Sequence, residues 1–441
     1  MSFGTRPLAV ETVHSQRQKW RATWRRLREE RRLTRPESRP ERIGRNLRLF
    51  HSYRLLSTSY LFVPVLVHFF LARGLSFTQM ALLNTVYAVT AVLCDIPTGA
   101  LADRFGRRRA MIAGALSMAL GCFIDYRSHT FSGFALGEGL LALGLTLSSG
   151  ADSAYLYDLL RAAGRSREYR RFEGSATAMK LSGAALALIV GGFIGGGDPA
   201  STYLGTMFIC GVAALCAFFL DESPLAEEPR RFWPTISGAL RLVLSHSRLQ
   251  FGIAFSVVMF TLLRMGLYLY PPYLRVSQFS FAQTGLVLAA LSLVGAFAAY
   301  RVETIRRVVG ENRLLWLLPL TVALAHLALG RWFIWCGTLF LALQAVANGL
   351  YSPISKQLIN REITDSQTRA TVLSVESMAR RICFGAFAPL AGIAIDRHSL
   401  GSGFLVCAVF GLLAVPLLYL AVKLYARHRC ALHLAACDCR S

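Results

Sequence analysis

Ionisable side chains stand inside long apolar stretches of this chain at Asp95, Glu138, Asp152, Lys180, Arg264, Glu376, Arg380 and Arg381. Each such group costs about 2.5 to 3.5 kcal/mol to place in a bilayer on insertion scales, so each needs a task. A buried carboxylate can load a proton from one side and release it to the other. Asp95, Asp152 and Glu376 are the candidates for that chemistry. The plainer alternative is permanent pairing with Lys180, Arg380 or Arg381, which would hold helices in register. Arg264 is harder to explain by packing. A lone central arginine suits an anionic ligand, or a salt bridge to Asp152 that ligand or proton would break.

Polar and aromatic residues recur in the same stretches. Ser57, Tyr60, Asn84, Tyr87, Tyr155, Arg264, Tyr268, Gln344, Asn348, Tyr351 and Arg380 are the candidate lining of a cavity. Aromatic rings with a few polar handles suit a small amphipathic organic molecule, and they equally suit ordinary helix packing. No phosphate-binding loop or nucleophile elbow is found, so the expected protein is not an enzyme. Cys430, Cys437 and Cys439 with His428 and His433 lack zinc-finger spacing, and neither a metal nor a cofactor is expected.

The elements that would carry these residues are membrane spans. Of 441 residues 54% are hydrophobic and only 17% charged, too apolar for an ordinary soluble domain. Twelve apolar segments fall near 51–73, 77–101, 109–127, 131–158, 173–196, 201–220, 249–274, 281–300, 313–329, 332–356, 370–395 and 402–425. The net charge of +23 would point to nucleic acid in a soluble protein. Here the basic residues alternate between loops, with Arg104, Arg107, Arg108, Arg109, Arg161, Arg165, Arg167, Arg170 and Arg171 on one side and about one base per loop on the other. That asymmetry predicts cytoplasmic termini in a multi-pass protein of a bacterial inner membrane, and no nucleic-acid partner.

The domain organisation follows: a basic arm at 1–50, a six-helix half at 51–220, a loop at 221–248, a second half at 249–425 and a tail at 426–441. In the arm, Trp20, Trp24 and Leu27 fall on one helical face among arginines, suited to an anionic lipid surface or to a disordered basic segment. The halves repeat. At an offset of 204, Phe77 and Gln79 match Phe281 and Gln283, and Gly106 and Arg109 match Gly310 and Arg313. At 199, Gly150, Leu159, Arg170, Ser175 and Met179 match Gly349, Leu358, Arg369, Ser374 and Met378.

One corner, "DIPTGALADRFGRRR" from Asp95 to Arg109, joins the second and third segments. A chain break is expected at Pro97-Thr98-Gly99 and a turn at Gly106. Gly99 lets a neighbouring helix approach, Asp103 can accept from a helix N-terminus, and Arg107 can pair with a carboxylate. The run resembles the loop 2-3 signature of the major facilitator superfamily, with Gly99, Leu101, Ala102, Asp103, Gly106, Arg107 and Arg108 in its positions. The resemblance covers about residues 50 to 425 and implies an all-α fold of twelve transmembrane helices in two pseudo-symmetric halves.

It further implies a gating latch in which Asp103 caps segment eleven and Arg107 pairs with an acid at the end of segment four, for which Asp158 is the candidate. The family's antiporter motif in segment five is partly kept, with Gly191, Gly192, Gly195 and Gly196 but no proline. The role so implied is proton-coupled efflux of a small amphipathic compound by a monomer. Uptake of an anionic nutrient, or a non-transporting sensor or scaffold using the basic arm, are the alternatives.

Overall fold

The computed structural model describes residues 40–222, 243, 246–333, 335–363 and 366–438, and among these every regular element is a helix. The segment holding Trp20, Trp24 and Leu27 lies outside the described residues, as do the side chains of the Cys and His residues of the tail. Among the described residues, ten helices are long and apolar enough to cross a bilayer. Of the twelve segments read in the sequence, the other two are the first, which is broken, and the tenth, which is long but carries Gln344, Asn348, Ser352 and Lys356.

The first span is α1 (Pro40–Leu56), an unwound stretch over residues 57–65, and α2 (Leu66–Ala72). Its helix begins inside the stretch read as an arm. Next come α3 (Phe77–Phe105), α4 (Arg107–Arg127), α5 (Phe131–Ser148) and α6 (Ala151–Ala162), then α7 (Tyr169–Gly195) and α8 (Ser201–Phe218). The second half holds α9 (Ser247–Val276), α10 (Phe281–Tyr300), the short α11 (Val302–Val309), α12 (Glu311–Arg331), α13 (Thr338–Arg361), α14 (Ser366–Arg397) and α15 (Leu400–Asp438).

The sequence repeat corresponds to local structure. Ser76 with Gln79 and Ser280 with Gln283 are capping boxes that start α3 and α10, each satisfying orphan amides reciprocally. Gly106 and Gly310 take φ of 105° and 89° between α3 and α4 and between α11 and α12, a backbone that a Cβ resists. The expected break at Pro97 is absent. The helix runs through it to Phe105, and Thr98 Oγ donates back to the Cys94 carbonyl at 2.7 Å.

Two breaks unforeseen in the sequence matter for the site. Gly150 at φ 83° divides the fourth span into α5 and α6. The unwound stretch of the first span is tolerable at membrane depth because protein covers it. Leu61 N–H donates to Thr206 Oγ1 at 3.0 Å, while Gly183 and Gly191 of α7 receive the Leu55 and Leu61 backbones where any Cβ would collide. Part of the glycine motif of segment five is thereby used for close approach: Gly191 meets Leu61, Gly195 meets Val65, and Gly192 faces Phe281 and Gly285 of α10.

Candidate functional site

A cavity of about 310 Å³ lies between α7, α9, α10 and α13, closed on one side by Val63 of the unwound stretch. Its polar lining is Arg264, Tyr270, Ser292, Gln344, Asn348 and Tyr351, set among Phe260, Leu263, Leu267, Leu288 and Leu291. Four of the sequence candidates, Arg264, Gln344, Asn348 and Tyr351, are therefore together. Tyr270 was missed. It lies one alternation from Tyr268 in "LYLYPPY", and its hydroxyl donates to Gln344 Oε1, whose amide lies 3.2 Å from buried His326.

Other candidates sit beside this cavity or away from it. Tyr268 donates to Asn84 across the two halves, and both line a smaller void with Met80 and Leu269. Tyr87 faces Arg264 and Arg381. Tyr60 donates to Met118 Sδ at 3.7 Å and stacks on Phe62. Arg380 lies over the ring of the lining Phe260 at 5.2 Å. Ser57 is buried at the end of α1. Tyr155 is not a lining residue. It is fully buried in the first half, stacked on Phe50 at 6.0 Å with its hydroxyl on the Asp221 carbonyl at 2.9 Å, because the break at Gly150 changes which face α6 presents.

Of the buried charges, Asp95 faces one of the partners expected from the sequence, whereas Asp152 takes a different one. Asp152, in the first turn of α6, binds Arg54 at the end of α1. Glu173 of α7 approaches the same guanidinium at 3.5 Å and accepts from Ser153 at 3.0 Å. Arg54 was not foreseen because it stands at the edge of the first segment, where a base reads as an interfacial anchor. Glu376 is buried, accepts from Ser256 of α9 and lies 3.1 Å from Arg380. Asp95 faces Arg381. The acid facing Arg264 is Glu138 of α5, not Asp152.

The two halves meet most tightly at the end remote from the signature loop, here the far face. The Asp396 carboxylate at the end of α14 accepts from Phe77 N–H at 2.9 Å and Thr78 N–H at 2.8 Å, the first amides of α3. A Cβ at Gly392 would stand 2.8 Å from the Phe77 carbonyl, so that backbone contact requires glycine. Gly192 and Gly285 make a similar close crossing of α7 and α10. Deeper, Thr85 donates to the Gly385 carbonyl at 2.7 Å.

At the opposite, near face the signature residues are arranged otherwise. Arg107 pairs with Asp158 and donates to the Ala154 carbonyl at 2.5 Å, all within the first half. Arg108 donates to the Phe218 carbonyl. Asp103 has no hydrogen-bond partner among the described residues, and nothing lies within 4 Å of where a Gly99 Cβ would stand. The second half keeps an ion pair at the equivalent corner with charges exchanged: Glu311, after Gly310, binds Arg361 at 2.7 Å and Arg306 at 2.7 Å.

The family model of the Major Facilitator Superfamily matches residues 55–335. Over 156 residues the chain is 30% identical to the tetracycline resistance protein, class C, of Escherichia coli, covering 35% of this chain and 37% of that protein. The curated relatives are matched over 20% to 37% of their own length. The fold is similar to the crystal structure of the nucleoside transporter NupG, with a TM-score of 0.73, 14% identity and coverage of 87% of this chain and 99% of that one. It is likewise similar to that of a D-xylose-proton symporter, with a TM-score of 0.67, 13% identity and coverage of 86% and 97%.

Proposed function

The chain belongs to the Major Facilitator Superfamily, and on that premise we propose that it exports a small amphipathic organic compound against a proton gradient by alternating access. It is a multi-pass membrane transporter and not an enzyme. The observation that carries the substrate class is the cavity. Apolar and aromatic walls enclose a volume fit for a drug-sized or smaller molecule, with Arg264, Gln344, Asn348 and Tyr351 as orienting groups. The partial similarity to a tetracycline resistance protein favours export.

The cycle would run between the present arrangement, held at the far face by Asp396 and the glycine crossings, and one held at the near face by Asp103 on the N-terminus of α14. Arg107 and Asp158 stiffen the near corner of the first half in both. Because the described arginine-rich loops lie on the near face, we assign that face to the cytoplasm of a bacterial inner membrane. Asp95, Asp152 and Glu376 are held by Arg381, Arg54 and the Ser256–Arg380 pair respectively. This favours anchoring roles for the latter two.

A second reading, uptake of an anionic metabolite, is favoured by one feature, the Arg264 guanidinium in the cavity wall. Both are tested by thermal-shift screening of purified protein with tetracycline, a nucleoside and D-xylose, followed by flux of any stabilising compound in proteoliposomes. Export predicts accumulation of a lipophilic probe driven by an opposing proton gradient. Flux indifferent to the gradient would sink the coupled reading, and stabilisation by small organic anions alone would favour uptake.

A further inference from the structure

Asp125 stands out among the acids of the described residues. It lies near the far end of α4, its side chain is fully buried, and neither carboxylate oxygen has a hydrogen-bond partner among the described residues. It is pressed against Gly137 of α5, where a Cβ would overlap its oxygen, and it faces the next residue along, Glu138. The helices are brought this close by paired glycines. Gly121 meets the Gly137 carbonyl, and Gly114 meets that of Gly144.

An ionised carboxylate sealed away from donors is an uncompensated buried charge, and a second carboxylate facing it adds repulsion. Two acids so placed are tolerable when Asp125 stays protonated and only Glu138, which has a cation facing it, ionises. The groups facing the pair fit a proton site that reports to the cavity. Cys122 lies on the same helix as Asp125, and Tyr203 of α8 contributes a buried hydroxyl that has no partner among the described residues. On the other side Glu138 faces Arg264 of α9, with Tyr87 and Tyr268 alongside. Arg264 is the cation in the cavity wall.

We propose that Asp125 and Glu138 form the proton-binding pair of the transport cycle, and that Glu138 passes its state to the substrate cavity through Arg264. With Glu138 ionised, its carboxylate neutralises Arg264 and the cavity accepts a neutral or cationic amphipathic substrate. When Glu138 takes up a proton, Arg264 is left an uncompensated cation in the cavity wall and the substrate is released, so proton and substrate alternate as export by exchange requires. The exchange is one proton bound or lost at a Glu138 carboxylate oxygen while Asp125 keeps its own proton throughout, with no other reactant. It rests on the proton-coupled reading of the cavity and names the residues that reading lacks.

The test uses the full-length protein in liposomes, with the proton itself as probe. Infrared difference spectra between acid and alkaline buffer should show a carbonyl band of a protonated carboxylic acid that titrates. Asp125→Asn and Glu138→Gln should each abolish that band or displace its midpoint, while Asp95→Asn and Asp152→Asn leave it in place. Asp125→Glu should retain the band with a displaced midpoint, and it serves where the asparagine variant fails to fold. A band untouched by all three pair substitutions, or no titrating band in the unmodified protein, overturns the proposal. Flux separates it from the broader reading: gradient-driven flux should fall to its gradient-free level in Asp125→Asn and Glu138→Gln. Full gradient dependence in both variants would reject this pair and leave proton coupling standing.

Discussion

At the scale of single residues, burial with a partner and burial without one distinguish the acids. Asp152 and Glu173 neutralise Arg54, whose side chain is only 7% exposed, and the three tie α1, α6 and α7 together where the first and fourth spans are broken. Removing one member of a buried ion pair costs about 3 to 5 kcal/mol because the charge left behind has no compensation. Arg54→Leu should therefore lower the melting temperature of the purified protein sharply, and adding Asp152→Asn should recover part of the loss. Asp152→Asn alone should preserve the gradient dependence of flux, on the anchoring role proposed for it. A melting temperature unchanged in Arg54→Leu, or coupling lost in Asp152→Asn with stability intact, would return Asp152 to the coupling site. Asp125 differs in having no such cation, and Glu138 faces Arg264 from α9.

At the scale of elements, α3 and α14 make a reciprocal pair. The hexad "GALADR", Gly99 to Arg104, ends α3, and "GIAIDR", Gly392 to Arg397, ends α14. The two helices run antiparallel, so each hexad ends its helix at the face where the other helix begins. In the second hexad the contact is made: glycine lets the backbones touch and aspartate caps two free amides. Loss of a capping side chain costs about 0.5 to 2 kcal/mol, and one or two kcal/mol is a factor of about 5 to 30 in a two-state ratio. Asp396→Ala should shift spin-label distances between the far ends of α3 and α14 toward a longer population by a factor in that range. An unchanged distribution would mean that the apolar packing beneath closes the far face alone. The hexad was legible in the sequence, yet a search for repeats at constant offset pairs the second span with the eighth, and so passes over an antiparallel partner. The signature and the turn at Gly106 with its repeat at Gly310 could be read because each is local. Arg54 with Asp152, the unwound stretch after Leu56 and the burial of Tyr155 could not, since each depends on how α7 and α6 pack after a break whose rotation the residue types do not encode.

At the scale of the whole molecule, the two halves share turns and caps but divide their charges differently. Arg107–Asp158 in the first half becomes Glu311–Arg361 in the second, so the corner ion pair survives although the aspartate of the signature is lost. The arginines that remain cluster on the near face, and the orientation proposed above puts that face in the cytoplasm. The far face offers a native reporter of the same choice. Cys336 is exposed, in the 3-10 turn Trp335–Gly337 that joins α12 to α13, whereas Cys122, Cys210 and Cys407 are buried. If the near face is cytoplasmic, a membrane-impermeant maleimide added to intact cells should label the unmodified protein, and Cys336→Ser should remove most of that labelling. In inside-out vesicles the same reagent should label Ser166→Cys, built on the near face between α6 and α7, and spare Cys336. Labelling of Ser166→Cys from outside intact cells would invert the molecule, and with it the direction in which the Asp396-closed state presents its cavity.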